Sequence, residues 1–227
     1  MGIAERRERE RQERRKGILE AAEKVFLSKG ILAASMDEIA LLAELSKGTL
    51  YLYFTSKEDL YVAVSTESLG ALRDLMQEAS FGASDGLSAL NQIGKAYYRF
   101  ARRFPERFRM VFLNNAPEFY GNVADETLAT KAEYSRACAI CLVNAVSRAQ
   151  EEGVLNPDVP CGTIAQLLWA HTTGIITLFS DSYYEDPDLW SVPAIHEILK
   201  TSWTTTLKSF ATGQGVTRIQ EIDLKSE

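Results

Sequence analysis

The sequence predicts an all-α protein in which three compact N-terminal helices precede a larger helical body, with about nine helices in total. Three observations support this fold class. Apolar residues recur with helical spacing along almost every segment, the two-residue alternation of strands is missing, and clusters of Gly, Pro, Asn and Asp separate the helical segments. The chain of 227 residues is 46% hydrophobic and 25% charged, which is the composition of a globular protein with a buried core.

The N-terminal helices are marked by apolar stripes and stop signals. The first has a stripe on one helical face: Ile18, Leu19, Ala22, Val25 and Phe26. Gly30 gives this helix a C-terminal stop, because glycine adopts the left-handed conformation that ends many helices. Two short helices are then predicted at about 36–43 and 47–53.

The body begins within a long fourth helix, predicted from Lys57 to about Ala79 with Ser56 as its N-cap. Five further helices are predicted at about 87–103, 106–115, 126–152, 161–181 and 190–212. We therefore assign three segments: an N-terminal domain of residues 1–60, a body of residues 61–213 and a polar, frayed tail of residues 214–227.

Charge and cysteine content restrict the class of protein. The net charge is −6 and the sequence pI is about 5.2, so any contact with nucleic acid needs a local patch rather than bulk charge. Cys138, Cys141 and Cys161 form an odd, sparse set that indicates a reducing, cytoplasmic setting. With His171 they could be taken for zinc ligands, but their placement within helices favours core packing, and we predict neither metal nor cofactor.

One segment is long enough to be considered as a membrane span. Between Asp158 and Asp181 lie 22 residues without a formal charge. Pro160, Gln166 and His171 fall inside this segment, which favours a buried helix of a globular protein. We therefore predict no membrane partner.

Residues 35–57 have the pattern of a helix-turn-helix, in which two short helices are joined by a tight turn. Ser35 and Ser46 are placed to cap these two helices. The second helix begins with the small, polar run Ser46-Lys-Gly-Thr49, and a helix that enters the DNA major groove needs short side chains at its start. Lys57, at the start of the next helix, is placed to hold a phosphate. The segment therefore predicts a DNA-binding surface.

Three runs in this region closely resemble the DNA-binding domain of TetR-type transcriptional regulators: Met36-Asp-Glu-Ile-Ala, Ser46-Lys-Gly-Thr-Leu-Tyr-Leu-Tyr-Phe and Ser56-Lys-Glu-Asp-Leu60. The resemblance covers about residues 15–62. It implies a three-helix DNA-binding head, a helical ligand-binding and dimerisation body, and a homodimer on a palindromic double-stranded operator. It also implies release by a small-molecule effector and favours repression over activation, because most members of the family repress.

The resemblance further implies which residues contact DNA: Ser35, Ser46, Lys47, Gly48, Thr49, Tyr51, Tyr53 and Lys57. One position departs from the family pattern, because Glu44 stands in the turn where glycine is common. A non-glycine residue in a left-handed turn costs on the order of 1 kcal/mol. We expect the fold to tolerate that cost.

The charged N-terminal arm, residues 5–16, contains seven basic groups and four glutamates. Two interpretations stay open: an arm that contacts DNA, as in some members of the family, and a solvated helical extension held by ion pairs between successive turns. The first 60 residues carry 11 basic and 11 acidic groups, whereas the remainder carries 14 basic and 20 acidic groups. The negative charge of the body suits an effector domain.

The body is rich in aromatic residues between positions 97 and 120. A core stripe is the default interpretation, but polar side chains on helices that we expect to face it favour a ligand cavity. The residues predicted to line this cavity are Tyr97, Phe108, Phe112, Tyr134, Cys138, Trp169, His171 and Thr172. They suit a small apolar or aromatic effector, although His171 has the alternative of a hydrogen-bonded core histidine.

The last two long helices are predicted to form the dimer interface. The second of them carries a broad apolar stripe with small residues between: Ile195, Ile198, Leu199, Ser202, Trp203 and Thr206. Because such a stripe would be a liability on a monomer, we expect a second copy to cover it about a two-fold axis.

Two other functions are alternatives to a regulator. An enzyme is disfavoured because the sequence has no nucleophile elbow, Gly-rich phosphate loop or H-E-x-x-H motif. A helical interaction adaptor with a degenerate head is disfavoured because the polar start of the second short helix and the following lysine are intact.

Overall fold

The computed structural model describes residues 2–112, 117–179 and 195–220. Within these ranges the protein is helical, and β structure is limited to an isolated bridge between Leu155 and Ala211. The predicted all-α class is confirmed. None of the helices in the described ranges is both long and apolar enough to cross a lipid bilayer.

The described residues form ten α-helices: α1 (Ile3–Ala33), α2 (Met36–Leu42), α3 (Lys47–Tyr51), α4 (Lys57–Phe81), α5 (Gly86–Arg103), α6 (Pro105–Phe112), α7 (Asp125–Glu151), α8 (Cys161–Phe179), α9 (Ile195–Ser209) and α10 (Gly213–Gln220). A 3₁₀ helix at Pro117–Asn122 precedes α7 and was not predicted. The nine predicted helices are all present. Their predicted ends at 115, 181 and 190 lie outside the described residues.

Helix α1 begins well before the predicted first helix, because the charged arm is itself helical from Ile3 onward. Residues 2–14 are exposed, and Arg6 pairs with Glu10 one turn away at 2.9 Å. The arm therefore has the form of a solvated helical extension. At the other end, Gly30 adopts φ 73° and kinks the helix, which agrees with its predicted role as a stop signal.

The chain packs into two units. The first unit lies within residues 1–71 and 104–135, and the second lies within residues 72–103 and 136–227. This division differs from the predicted boundary at residue 60, because residues 104–135 pack with the N-terminal helices although they lie far along the chain.

The core of the first unit joins the stripe of α1 to the helix-turn-helix. Ile18, Ile39, Leu50 and Phe54 each have no more than 1% of their surface exposed, and Met110 of α6 belongs to the same cluster. Apolar side chains of α2 and α3 therefore meet in this core. Burial of this kind holds α3 on the head by its inner face and leaves its outer face open.

The turn between α2 and α3 contains the one non-glycine residue with positive φ among the described residues. Glu44 has φ 56°, as its place in a left-handed turn predicted. The backbone N–H of Glu44 donates to the carbonyl of Leu41 at 3.1 Å, and that of Leu45 donates to the carbonyl of Ala40 at 2.9 Å. The turn is therefore well formed despite the strain at Glu44.

We expect Glu44→Gly to stabilise the protein by on the order of 1 kcal/mol, because glycine adopts positive φ without a Cβ clash. The measurement is the shift in melting temperature of the full-length protein. Glu44→Ala is the matched control, since it removes the same side chain and keeps the strain. A loss of stability in the glycine variant would contradict the assignment of strain to this turn.

Much of the segment that the sequence analysis assigned to a frayed tail is instead part of the helix α10, so that prediction was wrong for residues 214–220. Ile219 is fully buried, and Gly215 is buried against the carbonyl of Val154. Thr212 caps the helix, because its Oγ1 accepts a hydrogen bond from the Gly215 N–H at 3.1 Å. A single buried apolar residue and a close backbone contact suffice to dock so short a helix, and neither gives a periodic signal.

Candidate DNA-binding surface and effector region

The two serines of the helix-turn-helix cap their helices as predicted. Ser35 Oγ accepts from the Glu38 N–H at 3.2 Å, and Ser46 Oγ accepts from the Thr49 N–H at 3.1 Å. Ser46 Oγ also lies 2.8 Å from Thr49 Oγ1. Each cap satisfies a backbone donor that would otherwise lack a partner at the start of a short helix. The start of α3 is thus ordered before any ligand arrives.

Helix α3 presents a polar and aromatic outer face. Leu50 is fully buried, whereas Lys47, Gly48 and Tyr51 are exposed, with 45% of Tyr51 accessible. Around Gly48 the nearest atom to a hypothetical Cβ is Ser46 Oγ at 3.9 Å, so the helix surface there is bare backbone. The other predicted contacts on this helix and beyond it, Thr49 and Tyr53, are half-buried.

Lys47 is already engaged by an acidic neighbour. Its Nζ donates to Asp37 Oδ2 of α2 at 2.9 Å, and this hydrogen bond raises the pKa of Lys47 above its ordinary value. Both side chains are more than half exposed, so the pair contributes little to stability. A phosphate that binds Lys47 therefore competes with Asp37.

Lys57, which was predicted to hold a phosphate, also has a structural role within the protein. Its Nζ donates to the carbonyl of Ala34 at 3.0 Å and lies 3.5 Å from the carbonyl of Leu32. These contacts tie the start of α4 to the segment that follows the kink in α1. An ammonium group has three donors, so Lys57 can hold these carbonyls and still offer a hydrogen bond to a phosphate.

Asp59 joins the end of the helix-turn-helix to the start of α7, a role that sequence reasoning missed. Its side chain is 1% exposed and accepts from the Thr55 N–H at 2.9 Å and the Thr127 hydroxyl at 2.7 Å. The Ala124 N–H donates to it at 3.3 Å. Beside it, Ser56 donates through Oγ to the carbonyl of Asn122 at 2.6 Å. The sequence signal was only an acidic residue in the first turn of α4, because the partners Ala124 and Thr127 lie more than 60 residues away along the chain.

In the second unit, three predicted cavity residues and a neighbour form hydrogen-bonded groups around α8. Tyr97 is buried, and its hydroxyl lies 2.8 Å from Thr173 Oγ1 and accepts from the Trp169 indole N–H at 3.2 Å. Burial raises the pKa of Tyr97 well above its ordinary value. The buried Thr172 donates to the carbonyl of Leu168.

The remaining predicted cavity residues of this unit are bonded or shielded as well. His171 Nδ1 lies 2.9 Å from Thr206 Oγ1 in a part-buried hydrogen bond, although His171 as a whole is exposed. Burial raises the pKa of the Cys138 thiol to about 12, with the nearby Cys141 thiol as a further cause, so the thiol is protonated at neutral pH. Among the described residues there is no cluster of His, Cys, Asp and Glu that could hold a metal ion.

The other three predicted cavity residues belong to the first unit. Phe108 and Phe112 pack against each other with ring centroids 4.7 Å apart. The Tyr134 ring lies against Gly70, where a Cβ would come within 2.9 Å of it. The predicted cavity set is thus divided between the two units.

A small cavity of about 40 Å³ opens in the second unit, and it differs in composition from the predicted one. Its lining consists of Gly94, Lys95, Tyr98, Thr172, His196, Leu199, Lys200 and Trp203. Thr172 is the one member of the predicted cavity set among them. Sequence periodicity could not identify this arrangement, because it depends on how α5, α8 and α9 pack together.

The predicted interface stripe on α9 is only partly available to a second copy. Trp203 and Thr206 are each 8% exposed within the single chain, and the Trp203 ring packs against Gly94. Ile195, Ile198, Leu199 and Ser202 are half-buried. Helix α8 contributes exposed apolar side chains that were not in the predicted set: Leu167, Trp169 and Leu178.

Comparisons with known proteins place this architecture in a family. The model of the tetR family of bacterial regulatory proteins matches residues 18–64, and the model of the tetracyclin repressor-like C-terminal domain matches residues 90–193. The chain belongs to the TetR family. The resemblance found in the sequence is confirmed, and the family assignment makes the chain a transcriptional regulator rather than an enzyme.

Two relatives illustrate what other TetR-family members do. The repressor BepR of Brucella suis is 30% identical over 171 residues, which cover 74% of this chain and 80% of that protein. The activator FasR of Mycolicibacterium smegmatis is 33% identical over 138 residues, which cover 61% of each chain, so the match spans less than two thirds of FasR. Membership of the family therefore leaves the direction of regulation open.

A solved structure supports the TetR fold. The fatty acid degradation regulator FadR of Bacillus halodurans superposes with a TM-score of 0.65 at 18% identity. The match covers 85% of this chain and 94% of that one. At this level of identity the likeness concerns the fold alone.

Proposed function

We propose that this TetR-family protein is a ligand-responsive repressor that binds a palindromic operator as a homodimer. A small apolar or aromatic effector would release it from the DNA. The main support is the outer face of α3, where a capped polar start, bare backbone at Gly48 and an exposed Tyr51 combine on a helix whose inner face is buried. A protein acting on genomic DNA in this way would work in the cytoplasm.

The DNA contacts of this proposal fall into two groups. Gly48, Thr49 and Tyr51 on α3 would meet base edges in the major groove, since their side chains are short or carry a hydroxyl. Phosphates would be held at the edges of the groove by five residues: Ser35, Ser46, Lys47, Tyr53 and Lys57. Two such heads on successive major grooves require a two-fold dimer, with recognition helices roughly 34–36 Å apart.

The homodimer would form through α8 and α9. Exposed Leu167 and Leu178 add apolar surface on α8 to the half-buried Ile195 and Leu199 on α9. Since Trp203 and Thr206 are covered by their own chain, we leave them out of the proposed interface. A second copy would shelter this surface from water.

Release would require an effector with different affinities for two conformers of the dimer. The proposed ligand contacts lie around the Tyr97 hydroxyl, Trp169 and His171, where apolar surface and hydrogen-bonding atoms meet. Helix α4 starts beside the DNA-binding residues in the first unit and ends in the second, so it is the element through which binding in the body would reach the head.

We expect Tyr51→Ala and Lys57→Ala each to weaken operator binding by at least about tenfold, because they remove a groove contact and a phosphate contact in both protomers. The measurement is fluorescence anisotropy with duplexes from the DNA that flanks the protein's own reading frame. Loss of the Lys57 contact should also reduce the slope of log K against log salt by about one unit per protomer.

Controls for these variants follow from the structure. Lys57→Ala also removes a bond to the Ala34 carbonyl, so its melting temperature must be compared with that of the wild type. Tyr51→Phe keeps the ring and isolates the hydroxyl. Sedimentation analysis should find both alanine variants still dimeric. Unchanged affinity in both would discredit the assigned interface.

Activation is the second candidate, because the relative FasR is named as an activator. The two functions share the same DNA surface and differ in what the bound dimer does to transcription. A transcription assay on the flanking promoter separates them. Added protein lowers transcript yield if the protein represses and raises it if the protein activates.

A further inference from the structure

An exposed leucine lies at the end of the recognition helix, between the two tyrosines of the predicted contact set. Leu52 is 82% exposed and has helical φ and ψ of −74° and −20°, so it extends the helical register of α3. At 100° per residue, Leu52 lies about 200° from the buried Leu50 and about 40° from Gly48. Gly48 and Leu52 therefore follow one another on the outermost line of the helix.

We propose that Leu52 is a specificity-determining residue that contacts the 5-methyl group of a thymine in the operator. This inference rests on the proposed function, because it requires α3 to enter the major groove. The contact would be made once in each half-site.

The chemistry of the groove favours thymine as the partner. Among the base edges of the major groove, the thymine methyl is the apolar group, and the other groups are hydrogen-bond donors and acceptors. Leucine has no polar atom in its side chain and therefore cannot form hydrogen bonds with those donors and acceptors. The bare backbone at Gly48, one turn earlier on the same line, lets the helix come close enough for an aliphatic side chain to reach a base.

The side chains next to Leu52 on the helix surface would contact other groups of the DNA and leave the thymine methyl to the leucine. Thr49 and Tyr51 lie on either side of the line through Gly48 and Leu52, and their hydroxyls can bond to bases or phosphates. The tyrosine is 45% exposed and the threonine is half-buried. Water removed from the leucine and the methyl group on contact supplies the free energy.

The test is a comparison of thymine with uracil, since deoxyuridine differs from thymidine only by the methyl group. Duplexes that bind the full-length dimer are selected from a random library, and each thymine of the selected half-site is then replaced in turn by deoxyuridine. Affinities are measured for the wild type, for Leu52→Ala and for Leu41→Ala. Leu41 is a matched control, because it is 80% exposed but lies on α2.

We expect one thymine per half-site at which deoxyuridine weakens wild-type binding by about fourfold, which corresponds to about 0.8 kcal/mol for one buried methyl-sized group. Substitution in both half-sites should give about fifteenfold. Leu52→Ala should bind the thymine duplex more weakly and lose the sensitivity to deoxyuridine, whereas Leu41→Ala should keep it. Because both leucines are exposed, neither variant should change the melting temperature.

Three results would overturn the proposal. The wild type could be insensitive to deoxyuridine at every position, Leu52→Ala could remain as sensitive as the wild type, or the selected half-sites could contain no fixed thymine. In each of these cases the protein still binds DNA, and the proposed function stands. If no duplex is selected at all, the proposed function fails and this inference fails with it.

Discussion

Replacing Gly48 with leucine is expected to reduce operator affinity by about a hundredfold or more and to leave the fold intact. The exposed backbone at this position would lie against the bases, and a branched side chain there would hold α3 out of the groove. Lost contacts of about 1–3 kcal/mol in each half-site account for this magnitude. The free protein has room for the change, since the nearest atom to a Cβ is Ser46 Oγ at 3.9 Å.

Stability measurements distinguish a lost DNA contact from a loss of folding in the Gly48 variants. Glycine within a helix costs roughly 0.5–1 kcal/mol relative to alanine, so Gly48→Ala should melt slightly higher than the wild type. Its affinity for DNA should fall less than that of the leucine variant. Melting temperature and anisotropy titrations measure the two effects separately. Full operator affinity in Gly48→Leu would mean that this face of α3 does not touch DNA.

Asp59→Ala is expected to give the largest loss of stability, on the order of 3 kcal/mol. The substitution leaves the part-buried N–H groups of Thr55 and Ala124 and the buried hydroxyl of Thr127 without their acceptor. Since the same carboxylate fixes the segment between α3 and α4, operator binding should weaken as well. Urea unfolding and thermal melting of the full-length protein measure the loss.

Two variants separate the hydrogen bonds of Asp59 from its charge. Asp59→Asn keeps the shape and one acceptor oxygen, so it should lose less stability than the alanine variant. Glu58→Ala also removes an acidic residue from the first turn of α4, where it interacts with the helix dipole, but Glu58 is only half-buried. If Asp59→Ala and Glu58→Ala cost the same, the role of Asp59 as a junction would be refuted.

Local features of the DNA-binding head were predictable from the sequence. The caps at Ser35 and Ser46, the stop at Gly30 and the strained turn at Glu44 each depend on residues within a few positions of one another. The buried side of the helix-turn-helix is predictable for the same reason, because the helical period determines which side chains point inward. These are the features that backbone geometry and capping chemistry specify without knowledge of tertiary packing.

Features that depend on distant parts of the chain were not predictable. The partner of Asp59 at Thr127 and the carbonyl of Ala34 that binds Lys57 are brought near only by folding. The same limit explains why the predicted cavity residues fall in two units. Helical spacing shows that Tyr97 and Phe108 face inward, but it cannot show which interior they face.

Two other departures have simple physical causes. The stripe on α9 was assigned to a second copy because it is apolar, yet Trp203 packs against Gly94 of the same chain. Apolar character predicts burial but does not identify the surface that provides it. Helix α10 was missed because a helix of eight residues with one buried aliphatic side chain has too weak a pattern to distinguish from a polar loop.

The exposed start of α1 has an evolutionary consequence. No side chain of residues 2–14 is buried, and the first partly covered residue is Arg15, whose guanidinium lies 5.2 Å from the centre of the Phe54 ring. Substitutions before that point are therefore close to neutral for folding, so selection can vary the number and sign of charges there in small steps. The segment gives a lineage a place to change the surface charge of the head while the rest of the domain stays unchanged.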